Sequence, residues 1–344
     1  MSTVVEQPAA VPDTPPADRP RSGSLLRAEL HRFRSRRFIQ VLMGLLLVGW
    51  VVATVIGLLN FGEPTDADYA DAQAQLEQMV ADQEMFRQQC LDDPNLPEDL
   101  SPEEVCGPPM NAEDFRAEDF LTKAPFDLES SAAPGALAFG AAAAVLAFLI
   151  GATWIGAEWS SRSIVALLFW VPRRMRVMGA KLGVLALGAA VFGVVAQLAW
   201  LAMAGILRAA VGTDDRLPAG FWGDLLATQS RSVLLVVLAA LGGFGLANLV
   251  RNTGASLGIG FVYFAIIETA IGAFRPTWQP WLLTNNAAGL VIPDGLTLFI
   301  WERPNQMEPT EYVVTNLQGG SVLTAVVAVV VGIGVFLFAK RDLH

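Results

Sequence analysis

The stretch FIQVLMGLLLVGWVVATVIGLLNF, residues 38–61, decides the fold of this chain. It contains no charged side chain, and about 20 apolar residues in a helix are enough to cross the hydrocarbon core of a membrane. In lipid every backbone N–H and C=O group must be paired within the protein, so such a segment is helical. The stretch therefore predicts a membrane-spanning helix and an integral membrane protein.

Five further apolar stretches follow, so that the chain is predicted to cross the membrane six times. The composition agrees with this class, because 53% of the 344 residues are hydrophobic and only 16% are charged, whereas soluble domains carry about 25% charged residues. We expect an all-α integral membrane protein rather than a soluble enzyme. The predicted spans are 38–61, 134–157, 178–206, 232–250, 254–274 and 321–339.

Basic residues concentrate in the segments that six spans would place on one side of the membrane. Seven arginines precede the first span, and the connection between the second and third spans is rich in arginine, with Glu158 as its acid. Arg251 and Lys340 lie in the next two such segments. Because cytoplasmic segments are enriched in Lys and Arg, both termini are predicted to be cytoplasmic, in a bacterial plasma membrane.

The segment 62–133 is polar and acidic, and we expect it to form a lobe inserted on the opposite, extracytoplasmic side. Apolar side chains recur at helical spacing over Ala70–Gln89, which predicts a helix there. The chain's two cysteines, Cys90 and Cys106, both fall in this segment. They predict a disulfide on the oxidising side, worth about 3 kcal/mol; two free thiols are the alternative.

The N-terminal region divides into two parts. Residues 1–23 are rich in proline and alanine and are predicted to be a disordered cytoplasmic tail. In residues 24–37, Leu26, Leu30 and Phe33 follow helical spacing between arginines. This pattern predicts an amphipathic helix on the cytoplasmic leaflet of the bilayer, near anionic lipid, with a charged linker as the alternative. Residues 38–344 would form the six-span domain.

The connection GAEWSSRSIVALLFWVPRRMRVMGAK, residues 156–181, is the most informative stretch for function. A serine can begin a short apolar helix after Glu158, and Pro172 ends it. Charged residues bracket the helix on both sides. An apolar helix placed this way in the cytoplasm either docks in a groove of another protein or lies among the lipid headgroups.

Glu268 is the one acid within the core of a predicted span, and a charge there is costly. One interpretation makes it part of a substrate or proton path. The other makes it a buried hydrogen-bonding residue that holds helices together, with Gln197 and Asn248 as candidate partners.

The chain lacks the motifs of nucleotide and metal chemistry. It contains no G-x-x-x-x-G-K-[ST] sequence, no H-E-x-x-H and no C-x-x-C. Two histidines and two cysteines leave little for a metal site, and the net charge of −10 argues against nucleic acid. We therefore expect neither an enzyme nor a resident cofactor.

The pattern Gly-x-Glu-aromatic-Ser, Leu-Leu, Pro-Arg-Arg and Ala-Lys over 156–181 resembles the permease subunits of ATP-binding cassette (ABC) transporters of the type-2 exporter class. The resemblance implies that the segment 158–172 is a coupling helix seated on a separate ATPase subunit, which binds the ATP. It also implies an interfacial helix over Leu25–Arg37 and re-entrant outer helices over Trp278–Ile300. The implied ATPase-coupling residues are Glu158, Arg162, Ile164, Leu167, Leu168, Pro172, Arg173 and Arg174.

The same resemblance implies a pair of permeases, identical or different, within the lipid bilayer. Two other classes of function stay open. A secondary transporter would need ion-coupling acids at the middle of the membrane, for which only Glu268 is available. A membrane-anchored sensor or assembly protein would use the acidic lobe to bind an extracellular partner.

Overall fold

Six long apolar helices dominate the computed structural model, which describes residues 22–93, 105–109, 115–121, 123–170, 173–213, 216–301 and 308–340. By length and composition these helices can cross a membrane, which fits a multi-pass, all-α membrane protein and confirms the predicted number of spans. They are α2 (Arg37–Asn60), α4 (Leu128–Ser160), α6 (Arg174–Val211), α7 (Phe221–Val250), α8 (Thr253–Phe274) and α10 (Asn316–Lys340).

Shorter elements connect the long helices. A two-stranded antiparallel hairpin, β1 (Leu296–Ile300) and β2 (Thr310–Val314), precedes α10. Short 3-10 turns lie at Ala117–Phe120 and Pro276–Trp281. Other helices are the short α1 (Ser22–Arg34), the polar, 26-residue α3 (Asp66–Leu91), and the short α5 (Ser163–Trp170) and α9 (Leu283–Val291).

Several helices run beyond the predicted spans. The clearest case is α7, which begins at Phe221 although its predicted span begins at residue 232. The additional turns carry Asp224, Gln229 and Arg231, which lower the hydropathy of the segment without preventing a helix. Hydropathy therefore located the membrane-crossing part of each helix, but not its ends.

The structure changes the bounds of two predicted helical segments. The amphipathic helix predicted over 24–37 ends at Arg34, because Arg36 takes an extended conformation (φ −70°, ψ 117°) and α2 begins at Arg37. The helices predicted over Trp278–Ile300 stop at Val291, since Leu296–Ile300 is a strand paired with Thr310–Val314. Gly295, at φ +95°, supplies the turn into that strand.

Helices α4 and α7 pack backbone against backbone at the centre of the bundle. A Cβ atom on Gly151 would lie 2.0 Å from the Ala240 carbonyl oxygen, and one on Gly243 would lie 2.2 Å from that of Phe148. Only glycine fits at either position, and small residues of this kind are typical of helix contacts in membranes. Around this contact lies the main apolar core, which includes Trp154, Ile155, Met178, Leu185 and Phe244.

The bundle has two ends, which we name by their composition. At the arginine-rich end lie α1, α5, the turn from α7 to α8 and the last turn of α10. At the lobe end lie α3, the 3-10 turns, α9 and the hairpin. The antiparallel course of the helices is visible where Arg174, at the start of α6, donates to the carbonyl groups of Phe338 and Ala339 near the end of α10 (both 3.3 Å).

Contacts around Phe126 hold the lobe on the bundle, and a disulfide links two parts of the lobe to each other. The backbone N–H of Phe126 donates to the Val211 carbonyl (2.9 Å), and the Phe126 ring packs on Phe61. Thr65 and Asp68 form a capping box at the start of α3, which contains the predicted helix over Ala70–Gln89. The predicted disulfide is confirmed. It joins Cys90, in the last turn of α3, to Cys106.

Candidate functional site

A buried lysine joins two carboxylates at the arginine-rich end. The Nζ atom of Lys181, on α6, lies 2.8 Å from an oxygen of Glu29 on α1 and 2.8 Å from an oxygen of Glu158 at the end of α4. The Lys181 side chain is fully buried and Glu29 is 1% exposed. A buried charge is tolerated only when it is paired. This ion-pair network therefore fixes α1 against both long helices.

Arg36 extends the network toward the surface. Its guanidinium lies 3.6 Å from Glu158, donates to the Thr153 carbonyl (3.0 Å) and stacks over the Trp154 ring at 4.5 Å. Burial lowers the pKa of Arg36 because it desolvates the guanidinium, while Glu158 and Glu29 act in the opposite direction. Arg32, one turn earlier, pairs with Glu29 at 3.3 Å.

The helix α5 stands directly beside this network. The chain leaves α4 at Ser160 and reverses through Arg162, which takes a left-handed conformation (φ 56°). Ile164 is fully buried in the main core and fixes the near side of α5 to the bundle. Phe169 is 84% exposed, and Leu167 is half-buried. Among the side chains of α5 that the structure describes, Ile164 thus anchors the helix and Phe169 is an open apolar group.

The eight residues predicted for ATPase coupling fall into separate environments. Glu158 and Ile164 are buried in the bundle. Arg162 and Arg173 are exposed, and Arg174 caps α10. The side chain of Leu168 and the whole of Pro172 lie outside the described residues.

A second cluster fixes the opposite side of the α4 terminus. The indole Nε1 of Trp159 donates to Asn248 Oδ1 (3.0 Å), and the ring of Trp159 packs on Phe338. The guanidinium of Arg251 lies 4.5 Å from the Trp159 ring centroid. Asn248, expected as a partner for Glu268, therefore serves α4 and α10 instead.

Glu268 caps the short helix α9 at the lobe end. Its carboxylate accepts from the backbone N–H groups of Leu283 (2.7 Å) and Thr284 (3.2 Å) and from the Thr284 hydroxyl. A carboxylate at a helix N-terminus meets unpaired N–H donors and a favourable dipole. The other expected partner, Gln197, donates to the Ala136 carbonyl (3.0 Å) and does not reach Glu268.

The other end of α9 is capped as well. The amide of Asn316 donates to the carbonyl groups of Gly289 (2.7 Å) and Ile292 (2.8 Å), and its oxygen accepts from Arg231 on α7 (2.6 Å). A Cβ on Gly319 would lie 2.3 Å from the Asn286 carbonyl oxygen, so α9 lies directly against the α10 backbone.

Sequence reasoning missed four residues that organise these sites. Glu29 and Lys181 were visible as an acid within an arginine-rich helix and as the last residue of the quoted motif, but the sequence did not pair them. Arg231 and Asn316 were polar residues at the edge of predicted spans. These two residues bond to each other across 85 positions of the sequence, and residue spacing does not predict a contact over such a separation.

The chemistry available at the arginine-rich end is electrostatic and mechanical. Among the described residues no group of three or more His, Cys, Asp and Glu side chains could hold a metal ion. No known protein-family model matches the chain, and no curated protein matches it significantly. The site is therefore interpreted from its own geometry.

Proposed function

We propose that this chain is the permease subunit of an ABC transporter of the type-2 exporter class. The single observation that carries the proposal is α5, a short apolar helix bracketed by arginines and anchored by Ile164 at the end of two long helices. Ile164 packs in the main core, and the Glu158–Lys181 ion pair joins α4, the helix that leads into α5, to α6. A force applied to α5 would therefore reach α1, α4 and α6 together.

The energy for transport would come from a separate ATPase subunit seated on α5. This chain carries no P-loop motif, so ATP binding and hydrolysis belong to the partner. Closure of two ATPase subunits would move two α5 helices, and the long helices would follow as rigid bodies. The substrate pathway would lie between two permease chains, identical or different, in the lipid bilayer.

The arginine-rich end would then face the cytoplasm of a bacterial cell, with both termini inside. Exposed Leu26 and Leu30 on α1 suit a helix lying at the inner surface of the membrane. At the outer face, the turn Pro276–Trp281 and α9 would form short re-entrant segments. The exposed indoles of Trp278, Trp281 and Trp301 suit the level of the headgroups.

The role of Glu268 weakens the secondary-transporter alternative. That mechanism needs acids free to bind a coupling ion near the middle of the membrane. The carboxylate of Glu268 is instead occupied by the backbone of Leu283 and Thr284. The sensor alternative, which relies on the lobe, predicts that no ATPase accompanies the chain.

The test is co-purification of the protein from its native membrane in mild detergent. We expect a second chain that carries a P-loop motif and hydrolyses ATP. Phe169→Asp, on α5, should reduce its recovery by about tenfold, because a buried aromatic anchor contributes heavily to an interface. Phe274→Asp is the matched control, since Phe274 is 82% exposed but lies at the lobe end of α8.

Two results would contradict the proposal. One is the absence of any nucleotide-hydrolysing subunit from the purified complex. The other is substrate movement in vesicles that contain this chain alone, which would establish a secondary transporter. Equal recovery of the ATPase with Phe169→Asp and Phe274→Asp would remove α5 as the docking element.

A further inference from the structure

Two cavities lie near the turn from α1 into α2. The first, here called the polar cavity, has a volume of about 460 Å³. It lies between the turn and α5, and its lining includes Arg32, Ser35, Arg36, Glu158 and Ser163. The second, here called the apolar cavity, has a volume of about 170 Å³. Its lining is almost entirely hydrocarbon and includes Phe33, Met43, Leu185, Val191 and Val195.

Trp154 contacts one lining residue of each cavity. The Arg36 guanidinium stacks over the indole ring at 4.5 Å, and the Phe33 ring meets it edge-on at 5.2 Å. Arg36 lines the polar cavity and Phe33 lines the apolar one. The polar cavity and the apolar cavity are thus close to each other, since a residue from the lining of each contacts the same indole ring.

The polar cavity favours an anion. Its lining carries two guanidinium groups against the single carboxylate of Glu158. Glu158 shares the buried ammonium of Lys181 with Glu29, and Arg32 also pairs with Glu29, so that three cations (Arg32, Arg36 and Lys181) stand against two carboxylates. A guanidinium has five N–H donors, and Arg36 uses part of this capacity on the Thr153 carbonyl and on Glu158. The Ser163 hydroxyl, which accepts from Ser161 (3.0 Å), adds a further donor, whereas the Ser35 hydroxyl donates to the Arg32 carbonyl (3.3 Å).

We propose that the two cavities together bind one anionic phospholipid. Its phosphate group would lie between Arg32 and Arg36, and one acyl chain would enter the apolar cavity beside Phe33. The location fits this ligand, because Arg36 directly precedes the candidate span Arg37–Asn60 and so stands at headgroup depth. A free phosphate would leave the apolar cavity without an occupant. The inference does not depend on the proposed transport function.

The experiment measures retention of phosphatidylglycerol by the full chain, purified in detergent and analysed by native mass spectrometry. Two variants address the two cavities. Arg32→Gln removes a guanidinium whose side chain is 52% exposed, and Val191→Trp fills the apolar cavity. Each has a matched control on the same helix outside both linings, Arg34→Gln and Leu187→Trp.

We expect the wild type and both controls to retain one phosphatidylglycerol, in preference to phosphatidylcholine. Arg32→Gln and Val191→Trp should each weaken its binding by about tenfold, because the first loses charge-assisted hydrogen bonds to phosphate and the second excludes the acyl chain. Melting temperatures of the delipidated variants close to that of the wild type would show that folding is intact.

Three results would overturn the inference. Phosphatidylglycerol retained at wild-type affinity by both cavity variants would show that the lipid binds elsewhere. Equal retention of phosphatidylcholine would remove the role of the two arginines. Displacement of the lipid by millimolar glycerol 3-phosphate, together with full retention in Val191→Trp, would identify a site for free phosphate compounds rather than for a lipid.

Discussion

At the scale of single residues, the most consequential side chain is Lys181. Its ammonium is fully buried and is shared by two carboxylates on different helices. In such an arrangement the Coulombic attraction offsets the cost of removing charges from water only while every member is present. The loss of Lys181 is therefore costly mainly because it leaves buried carboxylates without this cation, and less because of the energy of either ion pair.

Replacing the lysine tests this. Lys181→Met should lower the free energy of unfolding by up to about 3–5 kcal/mol, because buried Glu29 loses its buried cation and keeps only Arg32, whose side chain is 52% exposed. Thermal unfolding in detergent measures the change. Adding Glu29→Gln to the same chain should restore part of the loss, whereas Lys340→Met, at an exposed position, should have little effect. A double variant no more stable than Lys181→Met would contradict the pairing.

What sequence could predict at this scale was the kind of residue and not its partner. Glu268 was singled out because a carboxylate within an apolar span must be paired. Its partners turned out to be the backbone of α9, whose position against α8 depends on the whole fold. Likewise, 152 residues separate Glu29 from Lys181, and no local pattern connects them.

At the scale of elements, α9 is a short helix that two neighbouring helices cap and a third supports indirectly. Glu268 of α8 holds its first turn, and Asn316 of α10, itself held by Arg231 of α7, holds its last turn. An isolated helix of this length is not stable in water. Its order therefore depends on these caps and on its packing against Gly319.

Loss of one cap should loosen α9 selectively. Asn316→Ala should cost about 1–2 kcal/mol, as for other lost caps, and should increase hydrogen exchange in Leu283–Val291. Asn252→Ala is the control, because Asn252 caps α8 at the other end of the bundle through the Ala255 N–H (2.9 Å). Equal hydrogen exchange of α9 in Asn316→Ala and Asn252→Ala would contradict the role of Asn316 as a cap of α9.

The start of α4 should make the protein sensitive to acid. Asp127 accepts from Ser130 and Glu129, and the hydrogen bonds from Ser130 hold its pKa below the ordinary value of 3.8. A lowered folded-state pKa contributes stability that is complete above 3.8 and is lost as the pH falls through the folded value.

The matched substitution is Asp127→Asn, since asparagine is also a good N-cap and does not titrate. We expect the melting temperature of the wild type to fall between about pH 5 and about pH 2, and that of the variant to fall less. The comparison uses thermal unfolding of both proteins in the same detergent. If the melting temperatures of the two proteins fall equally with pH, Asp127 does not contribute to the loss of stability in acid.

At the scale of the whole molecule, the hydropathy of the sequence predicted six crossings and the lobe between the first two. It could not predict how the helices pack, because apolar residues face both lipid and protein. The contact between α4 and α7 depends on Gly151 and Gly243, which differ from the many other glycines only in what faces them. The hairpin was missed because its strands pair across the intervening segment 301–309.

Two adjacent glycines allow a direct test of the central contact. A Cβ on Gly243 would lie 2.2 Å from the Phe148 carbonyl oxygen, whereas one on Gly242 would meet Val327 at an ordinary 3.6 Å. Gly243→Ala should therefore destabilise the protein by about 1–3 kcal/mol through overpacking. Gly242→Ala should be neutral or stabilising by up to about 1 kcal/mol. Similar melting temperatures for Gly243→Ala and Gly242→Ala would contradict a close contact between α4 and α7 at Gly243.

The joint at Lys181 also bears on how the protein is made. The ribosome synthesises Glu29 152 residues before Lys181, and Glu158 23 residues before it. Until α6 has been synthesised, Glu29 and Glu158 lack the lysine that they share in the folded protein. The ion pair that fixes α1 against α6 cannot form before then. A chain that stops short of α6 keeps this defect permanently.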